Sequence, residues 1–452
     1  MMETQYADAV FGITDKQSVC KALRDQLQTL DLQLIRQLAL GNQKQVDWAE
    51  LARQAKPPKA FRVDAENQYS ADQAIQQGQE LLQEGKVAMI LVAGGQGTRL
   101  GFDKPKGLFP IGPLSGRTLF QMFVDRIKAL STHYGATIPL YVMTSPATHC
   151  ETIEYFEKNN HFGIADDDLI VFCQGTMPAV DLATGKLLRQ TETEFALSPN
   201  GHGGMLDALV DSQCLQAAID RGIQHFFYGQ IDNPLVQICD EELIGYHALA
   251  QSDMTVQAVK KTHALEKVGN VVDINGRVQI IEYSDLPDQY ALKTDDSNEL
   301  VLWAGNIAVH IFSTNFLVRA SQSTSSLPYH LAKKIVPYID GQGNRQQPTE
   351  PNAIKFEKFI FDLLPIANNA LAVEVEKSKG FAPVKNANGA ETDTPSLASK
   401  AISDLQKGWL RENDVIISDD VTVEIHPSFA FSAASLANRS LPAKICEDTY
   451  LR

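Results

Sequence analysis

The first part of the chain has the hydrophobic spacing of amphipathic helices. Between residues 15 and 40, leucines recur every three or four positions: Leu23, Leu27, Leu30, Leu34 and Leu38. This spacing predicts one helix, with Asp15 as a candidate N-cap. Such a stripe either packs on a neighbouring domain or serves self-association. A second helix is predicted from Ser70, another candidate N-cap, to about Glu84.

From residue 87 onward, the pattern changes to short apolar runs separated by helical stretches. The runs are short enough for buried strands and lie at Val87–Ala93, Leu140–Thr144, Leu169–Cys173 and His225–Tyr228. Helices are predicted between them at 118–130, 151–159 and 207–220. This alternation predicts an α/β fold with a doubly wound, mostly parallel sheet. Ligands of such sheets bind at the carboxyl ends of the strands.

The last third of the chain predicts smaller elements. Asn275-Gly276 marks a hairpin within Val271–Tyr283, and an Asn/Gly/Thr/Pro-rich loop runs from Phe381 to about Pro395. Short strands and turns are predicted beyond it, including 415–417 and 421–425. We therefore predict a helical N-terminal region (1–85), a main α/β domain (86–380) and a small β-containing C-terminal domain (381–452).

Composition narrows the class of protein. The chain has 452 residues, 44% of them hydrophobic, which allows two or three domains around a large core. Its net charge of −15 disfavours a general nucleic-acid or anionic-membrane binder. It does not exclude an anionic substrate, because a few cations and backbone N–H groups can bind phosphate on an acidic surface.

Cysteine usage and the N-terminal sequence predict a cytoplasmic protein. The six cysteines form no Cys-x-x-Cys pair, as expected for reduced thiols. Residues 1–10 lack the apolar core of a signal peptide, and no run of 18 apolar residues predicts a membrane span.

The strongest local motif is a glycine loop directly after the first buried run. It reads GGQGTRLG from Gly94 to Gly101, with further glycines at Gly95 and Gly97, and Pro105-Lys106-Gly107 follows. The dinucleotide fingerprint G-x-G-x-x-G fails, because its third glycine position is a leucine; the Walker A motif also fails. Two cations, Arg99 and Lys106, suit a triphosphate whose leaving pyrophosphate gathers charge. The alternative is a tight turn with solvated basic residues.

The stretch from Leu91 to Gly107 closely resembles the signature of eukaryotic-type UDP-N-acetylhexosamine pyrophosphorylases, within the UDP-sugar pyrophosphorylase family. Further blocks resemble this family in its own order: Cys173–Ala179, Asn200–Gly204, Ile231–Asn233, Glu282–Ser284, Ala304–Ile307, Lys355–Phe359 and Pro383–Asn386. The resemblance therefore covers about two-thirds of the chain. It implies a GT-A-like nucleotidyltransferase domain over 86–380.

The resemblance implies a uridylyltransferase that joins a sugar 1-phosphate to the α-phosphorus of UTP and releases pyrophosphate. Its expected cofactor is Mg²⁺, with Mn²⁺ as an alternative, held by Asp232 at a strand end. Arg99 and Lys106 would contact the β- and γ-phosphates, and Lys385 would reach the sugar phosphate or the α-phosphate. UTP and the sugar 1-phosphate are the expected partners, without nucleic acid or membrane, and a monomer is the default.

The resemblance also assigns the groups that would recognise base and sugar. Nucleotide binding falls to Gly94, Gly95, Gly97, Gln174, Gly201 and His202, with Gln174 pairing with the uracil edge. Sugar binding falls to Gly269, Glu282 and Asn306. Phe359 and Phe361 could pack near an N-acetyl methyl group, although aromatics at that spacing are commonly core.

His202 departs from the acetylhexosamine members, which usually carry Asn there; His is typical of the UDP-glucose and broad-specificity branches. The blocks at Glu282–Ser284 and Ala304–Asn306 favour an acetamido sugar instead. N-acetylglucosamine 1-phosphate is therefore the predicted substrate, and glucose 1-phosphate the alternative.

Interpretations that place the chain in other functional classes have less support in the sequence. A dinucleotide-dependent dehydrogenase fails the glycine spacing. A catalytically silent nucleotide-sugar sensor would be supported by loss of Arg99, Lys106 or Asp232, but all three are present. A scaffold would need repeats or long apolar seams beyond the first 40 residues, and none is found in the sequence.

Overall fold

Helices and strands alternate through most of the chain. The computed structural model describes residues 21–39, 46–323, 327–437 and 439–452. The helices in these ranges are α1 (Lys21–Gln28), α2 (Leu32–Ala39), α3 (Trp48–Gln54), α4 (Ala71–Gln83), α5 (Leu119–Tyr134), α6 (His149–Lys158), α7 (Met205–Asp211), α8 (Cys214–Asp220), α9 (Glu241–Leu249), α10 (Asp288–Ala291), α11 (Thr314–Gln322), α12 (Lys377–Gly380), α13 (Pro395–Arg411) and α14 (Ala433–Leu436).

The strands range from two to ten residues in length. They are β1 (Ala60–Phe61), β2 (Val87–Val92), β3 (Leu140–Thr144), β4 (Leu169–Cys173), β5 (Thr176–Pro178), β6 (Val180–Asp181), β7 (Leu197–Pro199), β8 (His225–Gln230), β9 (Met254–Lys260), β10 (Gly269–Ile274), β11 (Arg277–Ile281), β12 (Ala304–Ser313), β13 (Tyr329–Lys334), β14 (Tyr338–Ile339), β15 (Arg345–Gln346), β16 (Ala353–Lys358), β17 (Ala370–Glu374), β18 (Ile416–Ile417), β19 (Val423–Ile425), β20 (Lys444–Ile445) and β21 (Thr449–Leu451).

The chain divides into two compact units. One contains described residues within 1–47, 174–208 and 324–362, and the other contains those within 48–173, 209–323 and 363–452. The first unit holds the antiparallel order β13-β16-β6 and the pairs β5-β7 and β14-β15. The second unit holds the central sheet and all remaining strands. The domain boundaries expected at 85 and 380 stay predictions.

The central sheet has the order β1-β17-β9-β12-β8-β2-β3-β4, with β10 pairing β12 and β11 pairing β10. All neighbours along the main order are parallel except the two pairs that involve β12. Strands β2 and β3 are buried along nearly their whole length, as expected for a sheet covered on both faces. The predicted α/β class and mostly parallel sheet are confirmed.

The sheet changes direction at β2. From β2 the chain proceeds to β3 and then β4 on one side, and β8 later occupies the other side of β2. Loops that leave β2 and β8 therefore diverge from adjacent carboxyl ends. Ligands of doubly wound sheets bind in the crevice at such a switch point.

Several sequence predictions are confirmed at the level of single elements. Ser70 caps α4: its hydroxyl accepts the N–H of Gln73 at 3.2 Å, and the Gln73 side chain accepts the N–H of Ser70 at 2.9 Å. Asn275 and Gly276, with φ of 55° and 80°, join β10 to β11 as the predicted hairpin.

The predicted helix over 15–40 is wrong as a single element. Within the described residues it is two helices, α1 and α2, and Asp31 accepts the N–H of Leu34 at 2.9 Å to start the second. Asp15, the predicted cap, lies outside the described residues. Leu23 and Leu38 are buried in the core of the first unit, which explains the leucine spacing.

The predicted helix over 207–220 is also two helices. Gln213 has φ of 61°, which ends the helical path between α7 and α8.

The C-terminal region contains a long helix where strands and turns were predicted. The 17 residues of α13 begin at Pro395, after the cap Thr394, and pack against β19 and α14. The prediction was wrong because residues 395–411 were grouped with the short strands and turns that follow them. Thr-Pro is in fact a helix-start signal, and apolar residues follow it at Ala398, Ile402 and Leu410.

A buried carboxylate ties this C-terminal region to the central domain. Glu424, on β19, is fully buried and accepts the backbone N–H groups of Leu114 and Ser115, each at 2.7 Å. It also accepts the hydroxyl of Ser115 at 2.6 Å. These residues lie in the turn between Ile111 and Arg117, directly before α5.

Among the described residues, no helix combines the length and apolar character needed to cross a membrane.

Candidate active site

The glycine loop is a closed turn at the carboxyl end of β2. Its two sides are joined by the N–H of Gly97 to the carbonyl of Lys104 at 2.9 Å and the N–H of Lys106 to the carbonyl of Gly95 at 3.0 Å. The carbonyl of Gly94 accepts the hydroxyl of Ser145, after β3, at 2.7 Å. The loop is therefore held in shape without a ligand.

Two of these glycines have different surroundings. A Cβ at Gly97 would lie 2.7 Å from the carbonyl oxygen of Phe102, so close packing requires glycine there. A Cβ at Gly95 would meet nothing within 4 Å. The backbone at Gly95 is thus open to an approaching group, as the phosphate-binding prediction requires.

Lys106 is a buried cation beside other charged groups. Its side chain is 9% exposed, and its Nζ donates to the carbonyl of Val384 at 3.3 Å. Burial lowers the pKa of Lys106; the Asp232 carboxylate opposes this shift, and the positive charges of Arg99 and Lys385 add to it. The structure therefore brings together the four predicted phosphate and metal residues. Arg99 itself is exposed.

Asp232 occupies the position that the switch point predicts. It follows β8, which pairs in parallel with β2, and its neighbour Ile231 donates to the carbonyl of Val92 at 3.0 Å. The Asp232 side chain is partly exposed, whereas Asn233 is 3% exposed. Asp232 and the glycine loop thus leave adjacent strands at one edge of the sheet.

A late segment of the chain completes this edge. The N–H of Val384 donates to the carbonyl of Asp232 at 2.7 Å. This hydrogen bond places Lys385 close to the residues that directly follow β8. Lys385 lines a cavity of about 540 Å³. Val268, next to the predicted sugar residue Gly269, lines the same cavity.

The three predicted sugar-binding residues also lie together. Gly269 on β10 is paired with Asn306 on β12. A Cβ at Gly269 would lie 2.9 Å from Oε1 of Glu282 and 3.7 Å from Cβ of Asn306. Any side chain larger than glycine would therefore crowd the Glu282 carboxylate.

A β-bulge orients Asn306. The register of β12 against β9 shifts between Asn306 and Val309, and Ala308 has φ of 56°. The side-chain oxygen of Asn306 accepts the N–H of Ala308 at 3.0 Å. Bulges of this kind re-aim side chains next to functional sites.

The predicted base-binding residues lie in the first unit. Gln174 is 7% exposed, and the next residue, Gly175, accepts the N–H of Asn200 at 3.1 Å. Gly201 has φ of 85°, and a Cβ there would lie 2.4 Å from the carbonyl oxygen of Lys358. The structure thus brings three sequence blocks, around 174, 200–204 and 355–361, together.

His202 is part of an aromatic stack. Its ring lies 5.4 Å from that of Phe359 at an interplanar angle of 20°, and Phe359 stacks on His330 at 4.3 Å. The backbone N–H of Ile360 donates to Nδ1 of His202 at 3.3 Å. Burial, with a smaller contribution from the charge of His330, lowers the pKa of His202 to about 4. Phe359 and Phe361 therefore pack on His202, within the first unit.

The donor chemistry around Asp232 suits magnesium. In the described ranges no group of three or more His, Cys, Asp or Glu side chains could hold a metal ion. Magnesium, however, commonly takes one or two carboxylates together with substrate phosphates. The amide of Asn233 is already hydrogen-bonded to Gly380 and Ala382. Of these two neighbouring side chains, Asp232 is therefore the one that suits a magnesium ion.

Sequence reasoning missed the contribution of Asn233 and Asn200. Both stand within quoted sequence blocks, but neither was given a role. Asn200 donates to Gly175 and lies 2.0 Å from where a Cβ of Gly204 would be, and its carbonyl accepts the N–H of Lys358 at 2.7 Å. These contacts join distant segments, so no local pattern predicts them.

Known proteins are similar to this chain over most of its length. The family described as UTP--glucose-1-phosphate uridylyltransferase matches residues 31–429. The chain is 36% identical over 378 residues to UDP-N-acetylhexosamine pyrophosphorylase-like protein 1 of Xenopus tropicalis, covering 82% of this chain and 73% of that one. It is 34% identical over 388 residues to UDP-N-acetylglucosamine pyrophosphorylase of Saccharomyces cerevisiae, covering 84% and 81%.

A solved structure of uridine diphosphate N-acetylglucosamine pyrophosphorylase from Trypanosoma brucei is similar to the fold, with a TM-score of 0.82 and 25% identity. The similarity covers 99% of this chain and 95% of that one.

Proposed function

Because this chain belongs to the UTP--glucose-1-phosphate uridylyltransferase family, we propose that it forms UDP-N-acetylglucosamine and pyrophosphate from UTP and N-acetylglucosamine 1-phosphate. The observation that carries the proposal is the gathering of Arg99, Lys106, Lys385 and Asp232 at the switch point of the sheet. A cluster of three cations and one carboxylate suits two polyanionic substrates. The family resemblance inferred from the sequence blocks is confirmed by this membership.

The proposed reaction is an in-line displacement at phosphorus. A phosphate oxygen of the sugar 1-phosphate attacks the α-phosphorus of UTP, and the bond from that phosphorus to the bridging oxygen of the β-phosphate breaks. The electron pair leaves with pyrophosphate, so no covalent enzyme intermediate is needed. Positioning and charge stabilisation then supply most of the catalysis.

The three cations have two roles in this scheme. Arg99 and Lys106, on the glycine loop, would stabilise the charge that develops on the departing pyrophosphate. Lys385, on the opposite segment, would hold the attacking phosphate or the α-phosphate. Lys106 is the buried member, and a buried charge acts more strongly on its neighbours than a solvated one.

We assign Asp232 as the residue that would hold Mg²⁺, or Mn²⁺ in its place. When bound there, the ion would neutralise phosphate charge.

Base recognition is assigned to Gln174, Gly201 and His202 in the first unit. The Gln174 amide offers both a donor and an acceptor, which matches the edge of uracil and not that of cytosine. The switch-point site and the resemblance support a GT-A-like fold for the main domain, as part of this proposal.

Sugar choice rests on Gly269, Glu282 and Asn306. Their proximity gives a carboxylate and an amide side by side, which suits sugar hydroxyls and an acetamido group. His202 favours glucose as the alternative sugar. Its ring, however, packs on Phe359 and accepts a backbone N–H, so its identity is linked to packing within the first unit.

The test is pyrophosphate release from UTP and Mg²⁺ with N-acetylglucosamine 1-phosphate, N-acetylgalactosamine 1-phosphate and glucose 1-phosphate in parallel. We expect preference for an acetamido sugar, and little product when CTP replaces UTP. Preference for glucose would retain the mechanism and overturn the sugar assignment. UTP binding without product from any sugar would favour the nucleotide-sugar sensor.

A further inference from the structure

We propose that Asn233 is a positioning residue that fixes the segment Gly380–Lys385 and thereby the location of the Lys385 ammonium. The catalytic part of this inference rests on the proposed uridylyltransferase function. Asn233 itself would touch neither substrate, because both ends of its amide are bonded to the protein backbone.

The side chain of Asn233 binds the segment at two alternate residues. Its Nδ2 donates to the carbonyl of Gly380 at 2.8 Å, and its Oδ1 accepts the N–H of Ala382 at 3.1 Å. The backbone of Asp232 extends the series by accepting the N–H of Val384 at 2.7 Å. The carbonyl of Gly380 and the N–H groups of Ala382 and Val384 are therefore all bonded to Asp232 or Asn233.

The other contacts of the segment place Lys385 between two anchors. Before it, the carbonyl of Val384 accepts from Nζ of Lys106 at 3.3 Å. After it, the carbonyl of Asp393 accepts the N–H groups of Lys385 and Asn386, at 2.8 and 2.9 Å. The Lys385 ammonium lies 5.8 Å from the centroid of the Phe381 ring, which belongs to the same segment, so its position follows from that of the segment.

Asparagine is chemically suited to this task. A single amide offers one donor and one acceptor, which the carbonyl of Gly380 and the N–H of Ala382 require. Asn233 is 3% exposed, so water cannot readily replace it. Removing the amide would leave two backbone groups without their partner and loosen the segment before Lys385.

A matched residue separates positioning from general structural support. Asn352 also bridges two segments, with Oδ1 accepting the N–H of Val336 at 2.8 Å and Nδ2 donating to its carbonyl at 3.0 Å. Asn352 belongs to the first unit. Neither of its amide hydrogen bonds reaches Arg99, Lys106, Asp232 or Lys385. Asn352→Ala therefore also removes an amide that makes two hydrogen bonds to the backbone, without touching Lys385.

The kinetic test is a double-mutant cycle on kcat. Asn233→Ala should lower kcat at least about tenfold, while Asn352→Ala stays within about twofold of wild type. If Asn233 acts through Lys385, Asn233→Ala should cost less than about threefold more in a Lys385→Ala background. In an Arg99→Ala background, it should retain its full effect. Full additivity with Lys385→Ala would overturn the proposal.

A second measurement does not depend on activity. Hydrogen exchange of the peptide covering 380–386, in the ligand-free protein, should be faster in Asn233→Ala and unchanged in Asn352→Ala. Unchanged exchange there in Asn233→Ala would overturn the proposal even if activity fell. If wild type makes no product from any sugar, the proposed function fails, and the exchange result alone decides whether Asn233 fixes the segment Gly380–Lys385.

Asn233→Ser is the reserve variant if the alanine protein does not fold. Serine keeps one polar group at this position and should show the same two signatures to a smaller degree. Wild-type kcat and wild-type exchange in a folded Asn233→Ser protein would overturn the proposal.

Discussion

At the scale of single residues, Asp232 affects the pKa of its basic neighbour Lys106. Its carboxylate opposes the lowering of the Lys106 pKa that burial causes, and it is the group that suits Mg²⁺. Asp232→Asn keeps the side-chain volume but removes both effects. We expect kcat to fall about 100-fold or more with the fold intact, measured over a series of Mg²⁺ concentrations.

A control is available on an exposed helix. Asp72 lies exposed in the first turn of α4, so Asp72→Asn should leave kcat unchanged. Near-wild-type turnover by Asp232→Asn at every Mg²⁺ concentration would remove Asp232 from the site.

Individual site residues could be predicted where they lie within a sequence block that resembles the family. Arg99, Lys106, Asp232 and Lys385 were named from the sequence, and the structure groups them. The role of Asn233 could not be predicted, because its amide donates to a carbonyl 147 positions away in the sequence. A local pattern carries no information about such a partner.

At the scale of secondary-structure elements, α13 begins directly after the loop that holds Lys385. Thr394 is 1% exposed, and its hydroxyl accepts the N–H of Leu397 at 3.3 Å. Thr394→Ala removes this cap, and we expect the free energy of unfolding to fall by about 1 kcal/mol. Urea denaturation measures the change.

The conservative variant makes this prediction specific. Thr394→Ser keeps a hydroxyl that can cap the same N–H, so it should recover most of the lost stability. Equal losses in the alanine and serine variants would mean that packing of the threonine methyl group matters more than the cap.

The type of most elements followed from periodicity, whereas breaks within helices did not. The runs that became β2, β3 and β4 were predicted nearly to their ends. The interruptions at Asp31 and Gln213 depend on one side-chain contact and one positive φ. Helical spacing continues through both positions, so periodicity alone joins the two pieces.

At the scale of the whole molecule, buried neutral histidines make stability depend on pH. Burial lowers the pKa of His225 to about 4, and burial with a smaller effect of His330 lowers that of His202 to about 4. Below pH 6.5 these histidines are protonated in the unfolded chain but stay neutral in the folded chain. The free energy of unfolding therefore decreases as pH falls toward 4.

Between pH 7 and pH 5, each of these histidines should cost about 2 kcal/mol of unfolding free energy. Denaturant midpoints at the two pH values measure the loss, and His225→Gln should reduce the difference between them. A midpoint that does not change from pH 7 to pH 5 would contradict the prediction.

The overall sheet was partly predictable. Alternating strands and helices gave the parallel half around β2, because each crossover there is local. The antiparallel β12 and the pairing of β1 with β17 were not predicted. These contacts join segments remote in sequence, and short strands such as β1 carry too few residues for a periodic signal.

This topology also sets the order in which a growing chain can acquire its site. Arg62, directly after β1, and Glu374, on β17, pair across 312 positions of sequence. Asp232 likewise lacks its partner Val384 until Gly380–Lys385 has been synthesised. A nascent chain can therefore form β2, β3 and β8 while lacking Lys385, one of the three cations that we assign to the phosphates. Non-local pairings of this kind form slowly. Folding of the C-terminal third of the chain, which is synthesised last, therefore sets the time at which the site is complete.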